Sequence, residues 1–153
     1  MLGDVAKWLR ILGFKVIYDN KATDDEIVYR AKRENLMILT KDRGLTKRKN
    51  INAILIEKDK LEDMIVEVFE KTGVNYSEIS PFKYCPLCGE KLEKRDKEEV
   101  RWFIPQKVYE ELDEFFVCKN CFKVYWKGTH YKKIVEKLES IKEKFKKASI
   151  KTP

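Results

Sequence analysis

Two periods alternate along the first half of the chain. Leu2, Val5, Leu9 and Leu12 recur three and four residues apart, the spacing of one helical face, and Gly13 follows as a stop signal. Residues 14–18 then read as a strand. Thr23-Asp24-Asp25-Glu26 is a capping box, in which the threonine hydroxyl and the glutamate carboxylate satisfy each other's backbone amides. A helix is predicted from there to about Glu34, with Ile27 and Ala31 facing the core. Residues 36–40 form a nearly unbroken apolar run, the mark of a parallel strand covered on both faces, and residues 53–56 form a second. A basic turn, Lys47-Arg48-Lys49, lies between them. Leu61, Met64, Ile65, Val68 and Phe69 define another amphipathic helix, ending at Gly73. Helices and strands alternating through short connections predict an α/β fold, a parallel sheet with helices on both faces.

The alternation stops at residues 75–81, which divides the chain into an α/β unit over 1–80 and a second unit over 81–153. The second unit opens on a cysteine knuckle and continues through a polar stretch, 90–99. Pro105 is placed to start a short helix reaching Leu112. Residues 115–118 and 124–126 read as the two arms of a hairpin. A final helix over about 129–147 carries Tyr131, Ile134, Val135, Leu138, Ile141 and Phe145 on one face. Its other face is basic, since residues 127–151 hold nine Lys and three Glu.

With 153 residues, 43% of them hydrophobic, the chain suffices for one domain plus a small appendage. No run of roughly 18 apolar residues is present, which excludes a membrane-spanning helix. The N-terminus lacks the basic-then-apolar pattern of a secretory signal, so the expected setting is a reducing cytoplasm. Thirty-three Lys and Arg against 26 Asp and Glu leave a net charge of +7 with the single His neutral. The surplus is uneven: residues 1–80 hold 15 basic and 14 acidic side chains, net +1, and residues 81–153 hold 18 and 12, net +6. A basic second half suits an anionic partner such as nucleic acid, because lysines release counterions from phosphates. It suits equally a highly charged solvated surface.

Cys85 and Cys88 stand in C-P-L-C-G, and Cys118 and Cys121 in C-K-N-C, with 29 residues between the pairs. Two such pairs let four thiolates converge tetrahedrally on one zinc at about 2.3 Å. Four protein ligands leave no open coordination position, so the predicted zinc is structural, and its binding free energy is largely folding free energy. Four buried unligated thiols, or a redox pair, are the alternatives.

Asp24, Asp25 and Asp42 are the candidate catalytic acids. Asp42 falls just past the carboxyl end of a buried strand, where open α/β sheets place their ligands, and Asp24 and Asp25 begin the neighbouring helix. Converging carboxylates hold Mg²⁺ or Mn²⁺ with several waters retained, and such an ion generates hydroxide and stabilises a phosphodiester transition state. Each acid also has a plainer reading. Asp24 is favoured by the helix dipole, and Asp42 is a turn residue in K-D-R-G. Asp4 and Asp19 are weaker candidates. Arg10, Arg43, Arg48 and Lys127 are candidate phosphate contacts. Trp8, Trp102 and Trp126 either pack in the core or stack on RNA bases.

Several of these segments together resemble one family. They are M-L-G-D-V-A-K-W-L-R-I-L-G-F (1–14), D-D-E-I (24–27), L-T-K-D-R-G-L (39–45), the two cysteine pairs, and Y-W-K-G-T-H-Y (125–131). The sequence resembles the Mut-seven C-terminal RNase domain family over nearly all of residues 1–135. The resemblance implies a PIN-like nuclease fold followed by a zinc ribbon, and metal-dependent cleavage of RNA by an acidic cluster. Asp42 would be the acid of the T-[KR]-D element, Asp24 or Asp25 that of the D-x-E-I element, and the four cysteines the ribbon ligands. His130 falls in the G-[ST]-H element, which implies a place beside the site or the RNA path; otherwise it is a hydrogen-bonded histidine opening the last helix. The family carries a short strand ending in Asp ahead of the M-L-G motif, whereas this sequence begins at Met1 within it. The resemblance therefore implies either a start assigned too late or an incomplete site, in which the sheet has an exposed gap, open to a second copy or a partner chain, or reorganises. A non-catalytic RNA-binding protein, using the ribbon and the lysine-rich helix, is the second expectation.

Overall fold

The computed structural model describes residues 2–151, with side chains through residue 146. The first helix, α1 (Leu2–Ile11), buries Val5 and Leu9 of the predicted face, and Ala6 beside them. It is followed by Gly13 at φ 101°, where an added Cβ would lie 2.3 Å from the Ser80 carbonyl oxygen. Residues 14–18, expected as a strand, enter no ladder among the described residues. Their alternation is real, since Phe14 and Val16 pack on the main core. The Val16 carbonyl, however, is taken by the Arg10 side chain at 2.9 Å instead of a neighbouring strand.

Helix α2 (Asp24–Glu34) begins at the capping box. The Glu26 amide donates to Thr23 Oγ1 at 3.2 Å, and the Thr23 amide donates to the Glu26 carboxylate at 2.9 Å. Strands β1 (Met37–Thr40) and β2 (Asn52–Leu55) pair in parallel, Ile38 opposite Ala53 and Leu39 opposite Ile54, with the one-turn helix α3 (Arg43–Thr46) between them in sequence. These two strands make up the parallel sheet among the described residues. Successive side chains point to opposite faces, so the sheet separates two clusters. Ile38 and Ala53 join Val28, Ala31 and Leu45 under α2 and α3. Leu39, Ile54 and Ile56 join the main core with α1 and α4 (Leu61–Thr72). Helices thus cover both faces, as the sequence predicts.

The second sheet is antiparallel, in the order β3 (Glu93–Arg95), β4 (Phe115–Val117), β5 (Val124–Tyr125). The hairpin is the predicted one. Strand β3 lies in the stretch read only as polar, and its side chains form ion pairs, Glu93 with Arg95 and with Lys119 at 2.7 Å. Two short helices, α5 (Lys97–Val100) and α6 (Gln106–Glu111), connect β3 to β4. The last helix, α7 (Thr129–Lys151), leaves the ribbon and returns to α4. Ile141 is fully buried in the main core, and the Tyr76 hydroxyl donates to its carbonyl at 2.9 Å. Lys144 pairs with Asp63 at 3.1 Å. No helix among the described residues is long and apolar enough to cross a membrane.

Candidate functional site

Each cysteine pair sits in a knuckle built the same way. The Gly89 amide donates to the Cys85 carbonyl and the Phe122 amide to the Cys118 carbonyl, each at 2.8 Å. The residue after each second cysteine takes a left-handed backbone, Gly89 at φ 81° and Phe122 at φ 58°. The two knuckles face one another, and all four sulfurs lie within 4.8 Å. Cys85 and Cys121 Sγ are 4.0 Å apart and Cys88 and Cys118 Sγ 3.5 Å. Four sulfurs around a zinc at about 2.3 Å stand about 3.8 Å apart. The observed spacing brackets that value, and the set fits a zinc ion.

The electrostatics agree. Burial opposes ionisation of Cys88, but the Glu90 amide, the Asn120 side chain and the neighbouring thiols outweigh it and bring its pKa down to about 7. Cys121 is pushed up to about 12 by its hydrogen bond to Cys88 and by burial. Burial likewise raises Cys118. One thiolate suppresses the ionisation of its neighbours, so four thiolates require a cation among them. The Tyr125 hydroxyl lies 3.3 Å from Cys85 Sγ and acts as an outer support for that ligand.

Arg10, expected as a phosphate contact, is instead 5% exposed. Its guanidinium donates to Val16 O at 2.9 Å and to the knuckle carbonyls of Pro86 and Leu87 at 3.3 and 3.4 Å. It is committed to holding the first knuckle against α1 and is withdrawn from solvent. Gly89 completes that contact, since a Cβ there would meet Val16 O at 2.8 Å and Arg10 Nε at 2.9 Å.

The carboxyl end of the parallel strands carries the acids. Because α2 leads into β1 through a short turn, the first turn of α2 lies at the end where β1 finishes. Asp24, Asp25 and Asp42 are all exposed at this rim. Asp42 caps α3, accepting from the Gly44 amide at 2.8 Å. Asp25 pairs with Arg48 at 2.6 Å, and Arg43 with Glu57 at 3.7 Å. The three aspartates share an edge, yet they do not converge: among the described residues, the four cysteines form the one group of three or more potential ligands brought within 4.8 Å. As placed, these acids do not make a cage for Mg²⁺ or Mn²⁺. Asp42 and Asp25 each have one oxygen engaged, by the Gly44 amide and by the Arg48 guanidinium.

One carboxylate role escaped the sequence pattern. Glu67, 5% exposed, accepts from the amides of Glu57 and Lys58 at 2.9 to 3.0 Å and from Lys71 Nζ at 2.8 Å. It fixes the chain leaving β2 against α4. Lys71 four residues later is the available signal, a cation positioned to partner an acid on an otherwise apolar stripe. Asp19 is a turn residue, accepting from the Lys21 amide. Lys127 is half-exposed near Glu114 and lies 5.6 Å from the Tyr131 ring centroid. His130 is exposed in the first turn of α7, and it lines a cleft with Trp8 and Trp126. Trp102 is 84% exposed, with the Arg101 guanidinium over its ring.

No curated protein and no solved structure matches the chain. The sequence model described as the Mut7-C RNAse domain matches residues 1–138, nine-tenths of the chain, taking in the acidic rim, both knuckles and the start of α7. With that extent of match, the chain belongs to the Mut7-C RNAse domain family.

Proposed function

We propose that the protein is a ribonuclease that hydrolyses phosphodiester bonds of single-stranded RNA at the carboxyl rim of β1 and β2. The observation that carries this reading is the gathering of Asp24, Asp25 and Asp42 at one edge, beside Arg43 and Arg48, in a chain of an RNase family. Carboxylates position a water nucleophile, and guanidinium groups hold the phosphate and oppose its developing charge. The Arg48–Asp25 pair is exposed, and such pairs are worth about 0–1 kcal/mol, so an RNA phosphate displaces Asp25 from Arg48 at little cost. Mg²⁺ or Mn²⁺ enters as a variable of the test and not as a step, because the three acids do not converge. Zinc at Cys85, Cys88, Cys118 and Cys121 is structural in this reading, with every ligand supplied by the protein.

A non-catalytic RNA-binding role is favoured by one observation, the prior engagement of Asp25 by Arg48 and of Asp42 by the Gly44 amide. Incubation of labelled single-stranded RNA with the protein in Mn²⁺, in Mg²⁺ and in chelator separates the two. Asp42→Asn keeps a capping side chain while removing the charge. The ribonuclease reading expects shortened products in the wild type and at least a tenfold loss in Asp42→Asn. Binding without cleavage, indifferent to divalent ion and to Asp42→Asn, establishes the binding role in its place.

A further inference from the structure

A cleft of about 440 Å³ lies where α1, the ribbon and the start of α7 meet, and it has no assigned use in the rim chemistry. Its volume falls within the roughly 300–1,000 Å³ of ordinary ligand pockets. The walls are aromatic: Trp8, Phe82, Tyr84, Tyr125 and Trp126 all line it. Its charged lining residues are Lys7 and Lys133, joined by His130, and no carboxylate lines it. Lys7 and Lys133 are exposed and form no ion pair among the described residues. The cleft wall is held firmly. Phe82 adopts φ 65°, a conformation uncommon for a bulky residue, and is clamped between Phe116 and Tyr131 at ring-centroid distances of 4.8 and 5.6 Å.

We infer that this cleft receives an unstacked nucleobase of single-stranded RNA, with the flanking phosphates on Lys7 and Lys133. Aromatic faces favour a π-stacked base, and free lysines without competing acids favour an anionic backbone over an apolar peptide. The ligand class rests on the ribonuclease reading; the cleft itself is independent of the rim. Its role is to anchor the strand at a distance from the bond being cut, and it is indifferent to base identity because every base has a π face.

The test uses the full chain, oligouridine carrying 4-thiouridine for photocrosslinking, and an abasic oligomer of equal length. The crosslink is expected to map by mass spectrometry to Trp8, Tyr125 or Trp126, and the abasic oligomer is expected to bind at least tenfold more weakly. Lys7→Ala/Lys133→Ala alters two solvent-facing side chains. It is expected to lower the magnitude of the log–log salt slope of binding by about 1.4, the value for two phosphate contacts on a single strand. Crosslinks confined to the α2–α3 rim, with an unchanged salt slope, overturn the cleft and leave the ribonuclease reading standing. Retained RNA binding with equal affinity for the abasic oligomer overturns base insertion. Wild-type protein that neither binds nor cuts RNA removes both.

Discussion

Gly73 and Gly89 have nearly the same φ, 76° and 81°, in different surroundings. A Cβ at residue 73 meets nothing within 4 Å, whereas at residue 89 it meets Val16 O at 2.8 Å, Arg10 Nε at 2.9 Å and Arg10 Cζ at 3.1 Å. Gly73→Ala therefore measures backbone conformation alone. The left-handed region costs an L-residue about 1–2 kcal/mol, offset by roughly 0.4–1 kcal/mol of lost unfolded-state entropy, for a net cost of about 1 kcal/mol. Gly89→Ala adds the displacement of Arg10 from Val16 O. A hydrogen bond from a charged donor contributes about 1.5–3 kcal/mol, and here the donor residue is only 5% exposed. The expected total is about 2.5–4 kcal/mol. Equilibrium urea unfolding followed by far-UV circular dichroism measures both variants, at one fixed free zinc concentration because bound metal adds to apparent stability. In an Arg10→Met background the added cost of Gly89→Ala is expected to shrink, since the displaced bond is already gone. Equal costs for Gly73→Ala and Gly89→Ala in the wild-type background would refute the coupling of the first knuckle to α1 through Arg10.

Burial opposes the charge on Glu67, but the Lys71 ammonium and the amides of Lys58 and Glu57 prevail and hold its carboxyl below the usual value. A lowered carboxyl pKa contributes stability above the ordinary glutamate range, and that stability is lost as pH falls through the lowered value. Glu67→Gln is therefore expected to cost about 1–3 kcal/mol at pH 7, with the deficit fading in acid; a deficit that ignores pH contradicts the charged role. Zinc content by atomic absorption is expected at about one ion per chain and to be lost in Cys118→Ser, with thermal stability falling alongside; full stability without zinc contradicts a structural ion. Tyr125→Phe is expected to weaken zinc retention against a competing chelator about 10–100-fold, and unchanged retention would reduce the hydroxyl to a packing group.

What could be read in advance was local. The Thr23 capping box and the stop at Gly73 involve residues a few positions apart, and the structure forms both as expected. The cysteine cluster was legible because each knuckle constrains its own pair, and only the facing of the two knuckles is a long-range fact. Alternation at residues 14–18 reported one buried face correctly but carried no information on a hydrogen-bonding neighbour, and among the described residues no strand pairs with it. Strand β3 escaped notice because its side chains are satisfied by Lys119 and Arg95 and not by an apolar stripe. The role of Arg10 lies in partners 76 and 77 residues away, beyond any periodicity. For the acids, the order of elements was enough to put Asp24, Asp25 and Asp42 on one edge. Whether their oxygens meet is set by side-chain placement, where Gly44 and Arg48 are local partners, and spacing along the chain is silent on that.

The most direct measurement is the chemistry of the ends that the protein leaves on a labelled single-stranded RNA, analysed by mass spectrometry for the wild type and Asp42→Asn. Water acting as the nucleophile leaves a linear phosphate monoester and a free hydroxyl, and the expected result is such ends, at least tenfold scarcer with Asp42→Asn. RNA left intact, ends bearing a 2′,3′-cyclic phosphate, or equal product from the two proteins would contradict hydrolysis at the acidic rim.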